Sequence, residues 1–364
     1  MTVTPSPSAR RRRAFRRLVL LLCAIGMIAG TVAVPAQGAG IDIKRNVAYV
    51  DDGNPHHVMD VYIPSGKGPF EGVVVIHGGD WAQGNPRKMA HEATVLAQNG
   101  FVAFSVTYRL APEFTFPAQL EDMQNAVKFI RAHASEFKVK PKQIGALGGS
   151  AGGQLAAMLA VSGTGPGDTG GRVNVAVSWS GPLDFTSLRV IIGQRRNRGG
   201  QGIARYLGCE IDQCPDTYKV ASPIHNVDPT DAPMFIGNST EEKVSLPNAQ
   251  SMADTLTEDD VPVELCVVDG KFHSVAMEDQ PCQGQGDETV FDASMAFLKK
   301  WRNGNPNAAA IPTSPGHTDT VPPPDEPPGT NLALLVVIIL VVLIALGTLG
   351  SALLRRRRYG GRIR

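Results

Sequence analysis

Residues 143–154 read Gln143-Ile144-Gly145-Ala146-Leu147-Gly148-Gly149-Ser150-Ala151-Gly152-Gly153-Gln154, and a helical pattern continues to Val161. An apolar strand, a glycine-flanked serine and a helix follow one another here. That order is what a nucleophile on a sharp strand-to-helix turn requires. Glycines at 148 and 152 let the strand and helix backbones approach where any side chain would intrude. Ser150 is then lifted to the top of a sheet, at the N-terminus of a helix. The plain alternative is a Gly-rich turn with a capping serine. The strand-turn-helix context favours the nucleophile.

Outward from this stretch, apolar runs rich in β-branched residues recur at Val58–Ile63, Gly72–Ile76, Val102–Val106, Val173–Trp179, Met234–Gly237 and Val263–Val268. Helical patterns lie between most of them. In Ala118–His133, Leu120, Met123, Val127 and Ile130 fall three to four residues apart; Ala249–Leu256 and Val290–Trp301 look similar. Alternating βα units predict an α/β fold, a mostly parallel central sheet with helices on both faces, spanning 40–302. Ligands of such sheets bind beyond the carboxyl ends of the strands.

A second motif sits at one of those ends. After Gly72–Ile76 comes His77-Gly78-Gly79-Asp80-Trp81. Glycines there let backbone N–H groups reach a developing oxyanion, so Gly78, Gly79 and Ala151 are the oxyanion-hole candidates. A simple turn is one alternative. A phosphate-binding loop is another, but no G-x-G-x-x-G or G-K-[ST] follows.

Together these stretches, with Tyr108-Arg109-Leu110-Ala111-Pro112-Glu113, Phe116-Pro117-Ala118, Asp122 and Ala221-Ser222-Pro223-Ile224, resemble an α/β-hydrolase of the hormone-sensitive-lipase-like, carboxylesterase family. The resemblance spans about residues 55–300. It implies ester hydrolysis and the chain order serine, acid, histidine. Its base would be His273, in Val268-Asp269-Gly270-Lys271-Phe272-His273, a short loop beyond a late strand. His225 is the competitor. The family's acid follows the strand that here ends at Gly237. No Asp occurs in Asn238-Ser239-Thr240-Glu241-Glu242-Lys243. The resemblance puts the acid at Glu242, with Glu241 as runner-up, and Glu can serve in that role. Asp184 follows a different strand and reads as loop structure. The arginines Arg195, Arg196, Arg198 and Arg205 read as a solvated Gly-rich insertion.

The 364 residues are 43% hydrophobic and 19% charged, with a formal net charge of +1 that hides segregation. Residues 1–40 and 331–364 each carry six Arg and no acid, which leaves 41–302 with 23 basic against 31 acidic residues, a net of −8. An acidic domain argues against a nucleic-acid partner. The basic residues adjoin apolar segments and read as topology signals. Arg10–Arg17, the run Leu18–Val34 and the small residues Ala36, Gly38 and Ala39 predict a signal peptide over 1–39; an uncleaved anchor is the rival. Residues 303–330, Pro-rich, predict a stalk. Leu332–Leu354 carries no charge over 23 residues, long enough to span a bilayer. The arginines 355–358 put the 355–364 tail inside by the positive-inside rule. A cell-wall sorting signal is the minority reading, since no Leu-Pro-x-Thr-Gly occurs.

Four cysteines remain after the leader: Cys209, Cys214, Cys266 and Cys282. An even number in an exported domain predicts disulfides, with the local pairs 209–214 and 266–282 preferred and free buried thiols as the alternative. No metal site and no cofactor is expected. The expectation is a cell-membrane serine esterase with its domain outside, acting on a small or medium acyl ester. A silent surface module on the same scaffold, and an acyltransferase using the same residues, are the alternatives.

Overall fold

The computed structural model describes residues 40–187 and 200–308. The expected leader 1–39, most of the expected stalk, the expected span 332–354, the expected tail and Arg195, Arg196 and Arg198 lie outside them.

Eight strands form one sheet: β1 (Asp42–Ala48), β2 (Val58–Ile63), β3 (Phe70–Ile76), β4 (Phe101–Val106), β5 (Val139–Gly149), β6 (Ala176–Trp179), β7 (Met234–Ser239) and β8 (Val263–Val268). Their order is β1-β2-β4-β3-β5-β6-β7-β8. The pairs β1–β2 and β2–β4 are antiparallel and the rest are parallel. β4 and β7 are buried along their whole length, as sheets covered on both faces demand.

The helices are α1 (Ala90–Gln98), α2 (Ala118–Ala132), α3 (Ala151–Val161), α4 (Gly200–Leu207), α5 (Pro215–Val220), α6 (Leu246–Glu258) and α7 (Val290–Lys300). In α2 the apolar stripe Leu120, Met123, Val127 and Ile130 faces the core, as its spacing predicts. Every residue of α3 is buried. Its Ala- and Gly-rich sequence reflects this, because small side chains let a helix lie against a sheet on one side and further elements on the other.

Register places the site. Ile76 pairs with Gly148, Gly149 with Trp179, Trp179 with Gly237, and Ser239 with Val268. The segments after β3, β5, β6, β7 and β8 therefore emerge side by side at one edge.

Candidate active site

Ser150 sits between β5 and α3 with φ 57° and ψ −121°. Three glycine contacts force this turn. A Cβ on Gly148 would strike the Gly152 carbonyl, one on Gly152 would strike the carbonyls of Ile76 and His77, and one on Gly149 would strike Ser274 Oγ. The Ser150 N–H donates to the Trp179 carbonyl at 2.8 Å. Ala151 opens α3, so its N–H has no partner inside the helix.

The loop 77–81 lies against this turn: a Cβ on Gly78 would come 3.2 Å from Ser150 Cβ. Among the described residues, the N–H groups of Gly78, Gly79 and Ala151 donate to no protein acceptor. Their loop is held from behind. His77 Nδ1–H donates to the Gly78 carbonyl at 2.9 Å, Nε2 accepts from Thr107 Oγ1–H at 3.1 Å, and the ring stacks on Tyr108. Burial pushes the His77 pKa down to about 4, so the ring is neutral at physiological pH. Trp81 stacks on Tyr206 and donates to Gln154 Oε1 at 3.1 Å. Asp80 reaches Lys243 at 3.7 Å.

Glu242 and His273 meet: His273 Nδ1–H donates to Glu242 Oε2. Glu242 Oε1 accepts from Ser180 Oγ–H at 2.8 Å and from the Ser239 N–H at 3.0 Å. The Glu242 side chain is wholly buried. A buried carboxylate with three donors is held in one orientation. His273 Nε2 is buried with no partner among the described residues. Glu241 points away: its side chain is 63% exposed, 3.7 Å from Lys271 Nζ. His225 stands elsewhere, beside Thr186 Oγ1 at 3.0 Å and Asp184 at 3.7 Å. Asp184 Oδ1 accepts from the Thr186 N–H and hydroxyl, a local turn bond.

Strain gathers here. Non-glycine residues with positive φ include Asp80, Trp81, Ser150, Ser180 and Ser274, all around this edge, against three elsewhere among the described residues. Each such residue costs on the order of 1–3 kcal/mol, and such costs are concentrated where function fixes geometry.

Other motif residues serve the frame. Asp122, fully buried, accepts from the Arg109 N–H at 2.8 Å and from Arg109 Nε, and lies 3.0 Å from His57 Nε2. This clamp ties the 108–117 loop to α2. Ser222 Oγ accepts from the Phe185 N–H. Cys209 pairs with Cys214, and Cys266 with Cys282, with Cα separations of 6.2 and 5.1 Å. The second bridge links β8 to the chain beyond His273. Among the described residues, no group of three His, Cys, Asp or Glu is placed to hold a metal ion. Ser180, Ser239 and Ser274 escaped the sequence reading. A single serine after an apolar strand carries no signal of its own.

This sheet order, with a strained serine turn at its carboxyl edge, is the α/β-hydrolase architecture, and the chain falls within the carboxylesterase branch of that fold. It belongs to the BD-FAE family, whose profile matches residues 59–256, more than half of the chain. Among curated relatives, it is 37% identical over 123 residues to "Probable carboxylic ester hydrolase LipM" of Mycobacterium tuberculosis, covering 31% of this chain and 28% of LipM. It is 38% identical over 107 residues to arylacetamide deacetylase of Oryctolagus cuniculus, covering 28% and 27%. Esterase LipQ of Mycobacterium tuberculosis is 26% identical over 213 residues, 55% of this chain and 49% of LipQ. The chain thus spans about a quarter to a half of the length of these relatives. In fold it is similar to a truncated carbohydrate esterase from gut microbiota, with TM-score 0.63 and 24% identity over 74% of this chain and 99% of that one.

Proposed function

We propose that the protein is a serine carboxylesterase, exported and held at the cell membrane by its C-terminal segment. The hydrogen bond from His273 Nδ1 to the buried Glu242, with Ser150 on the neighbouring turn, carries this reading. Ser150 Oγ attacks the acyl carbonyl and His273 Nε2 takes its proton. Glu242 holds the Nδ1–H tautomer and balances the imidazolium. The N–H groups of Gly78, Gly79 and Ala151 receive the oxyanion, each worth about 2.7–4 kcal/mol in the transition state. The N-terminus of α3 adds favourable dipole there. His273 then protonates the leaving alkoxide, and an acyl-enzyme on Ser150 remains. Water, deprotonated by His273, releases the acid and restores Ser150.

The proposed substrate is a small or medium acyl ester, such as an ester carried by a surface polysaccharide or lipid. The carboxylic ester hydrolase and esterase relatives support the reaction class. The leader, the uncharged 332–354 run and the two disulfides support export and anchoring.

The test uses the full-length chain with p-nitrophenyl esters of increasing acyl length. Ser150→Ala should lower kcat by about 10⁴–10⁶-fold and abolish labelling by a fluorophosphonate. Turnover that survives Ser150→Ala sinks the assignment. A folded wild type that neither turns over nor labels is a silent module on this scaffold.

A further inference from the structure

The hydroxyl of Ser180 occupies the centre of the acid–base pair. Ser180 follows β6, the strand between the one that carries Ser150 and the one that precedes Glu242. Its side chain is fully buried. Its single O–H donates to Glu242 Oε1 at 2.8 Å, and its oxygen accepts from the Ser274 N–H at 2.8 Å. Ser274 is the neighbour of His273 and lies against Gly149, the neighbour of Ser150. The residue before Ser180, Trp179, takes the N–H of Ser150 on its carbonyl, and the Ser180 N–H donates to the Gly237 carbonyl at 2.8 Å. The dipeptide Trp179-Ser180 therefore touches the nucleophile turn, the acid and the base segment at once.

Bond directions leave little freedom. A carboxylate only accepts, so the hydroxyl must donate to Glu242; the backbone N–H only donates, so the hydroxyl oxygen must accept from Ser274. With Oε1 occupied by Ser180 and Ser239, Oε2 is the oxygen left for His273. The backbone of Ser180 is held at φ 51°, a left-handed conformation unusual for serine. A strained residue whose side chain has one fully used hydroxyl points to a functional constraint.

We propose that Ser180 is a positioning residue of the esterase: it fixes which carboxylate oxygen faces His273 and the distance between the acid and base loops. This inference rests on the serine-esterase reading. Ser180 touches neither substrate nor reacting atoms, so it acts through Glu242 and the His273 segment.

The experiment is a double-mutant cycle in the full-length chain, reading kcat and KM for p-nitrophenyl acetate. Ser180→Ala should lower kcat about 10–100-fold with KM within about twofold, the range for loss of a supporting hydrogen bond behind a functional side chain. In a Glu242→Ala background the same change should cost less than about threefold, because residues acting as a unit are non-additive. Ser180→Gly removes the hydroxyl while relaxing the positive φ. It should reproduce the kcat loss without a fall in Tm, which separates positioning from folding. Wild-type kcat in Ser180→Gly overturns the inference, as does an equal cost in both backgrounds. Ser150→Ala run in parallel keeps the two claims apart: turnover that depends on Ser150 but ignores Ser180 defeats only this one.

Discussion

The two halves of the site are built from different material. The nucleophile half, from β3, β5 and α3, is backbone against backbone. Gly148 and Gly152 each sit where a Cβ would strike a backbone carbonyl. The acid–base half, from the segments after β7 and β8, is made of side-chain hydrogen bonds and a disulfide. Backbone contacts have no slack, so the first half should fail all at once. Side-chain bonds can be lost singly, so the second should fail by degrees.

The widest separation should come between adjacent carboxylates. Glu242→Ala removes the partner of His273 and should lower kcat by about 10³–10⁴-fold, the scale seen when the orienting acid of a triad is lost. Glu241→Ala touches an exposed side chain and should change kcat by less than about twofold. Steady-state kinetics of the two variants decide it. Equal losses would remove the distinction between the buried and exposed carboxylates.

Next comes the nucleophile half. Gly152→Ala would press a methyl group into the carbonyls of Ile76 and His77, neither of which is the movable end of a side chain. Overpacking of this kind costs about 3 kcal/mol or more. The variant should lose folded protein and activity together, seen as a Tm drop of roughly 6–12 °C. A well-folded Gly152→Ala with normal kcat would show that the backbone contact yields.

The same contrast explains what the sequence disclosed. The glycine turn was legible because glycines at 148 and 152 have few uses other than close approach. The strand Val58–Ile63 and the strand Val263–Val268 were legible at both ends, since apolar β-branched runs stop where the sheet stops. β1 was not foreseen: Asp42–Ala48 is mostly exposed on an antiparallel edge and lacks an apolar face. The run Val173–Trp179 begins as strand only at Ala176, because Asn174 and Val175 bond to β5 as a loop before it. Glu241 and Glu242 are chemically equal in sequence. The Ser180 hydroxyl, 62 residues away, and His273, 31 residues away, distinguish them in space.

The disulfide Cys266–Cys282 closes a 16-residue separation around His273. A loop of this size is worth about 3 kcal/mol through the unfolded state. Replacing both cysteines by serine should lower Tm by roughly 6–12 °C while leaving most of kcat at 25 °C, because Glu242 and Ser180 still hold the base segment. A kcat loss larger than that of Ser180→Ala would mean that the bridge, rather than the hydrogen bonds, sets the position of His273.

The smallest effect concerns a carboxyl pair behind the base segment. Glu92 on α1 and Glu278, five residues beyond His273, are both raised above the ordinary carboxyl range by burial, and the charge of Glu92 adds to the rise at Glu278. Glu92 Oε2 and Glu278 Oε2 are buried atoms with no hydrogen-bond partner among the described residues. Burial and a neighbouring like charge both disfavour the ionised form of a carboxyl. Burial, then the charge of Glu92, pushes Glu278 up to about 7, with His91, 3.8 Å away, opposing the shift. The folded state therefore holds a proton that the unfolded chain, with an ordinary carboxyl, releases at lower pH. Stability from this pair is complete below the ordinary carboxyl pKa and is lost as pH rises through about 7. Glu278→Gln keeps a donor toward Glu92 and cannot ionise. Between pH 5.5 and 8 its Tm should fall less than that of the wild type, by about 2–4 °C. Parallel curves for the two proteins would mean that Glu278 does not hold its proton in this range. A difference confined to kcat, with equal Tm, would instead tie the pair to the base segment itself.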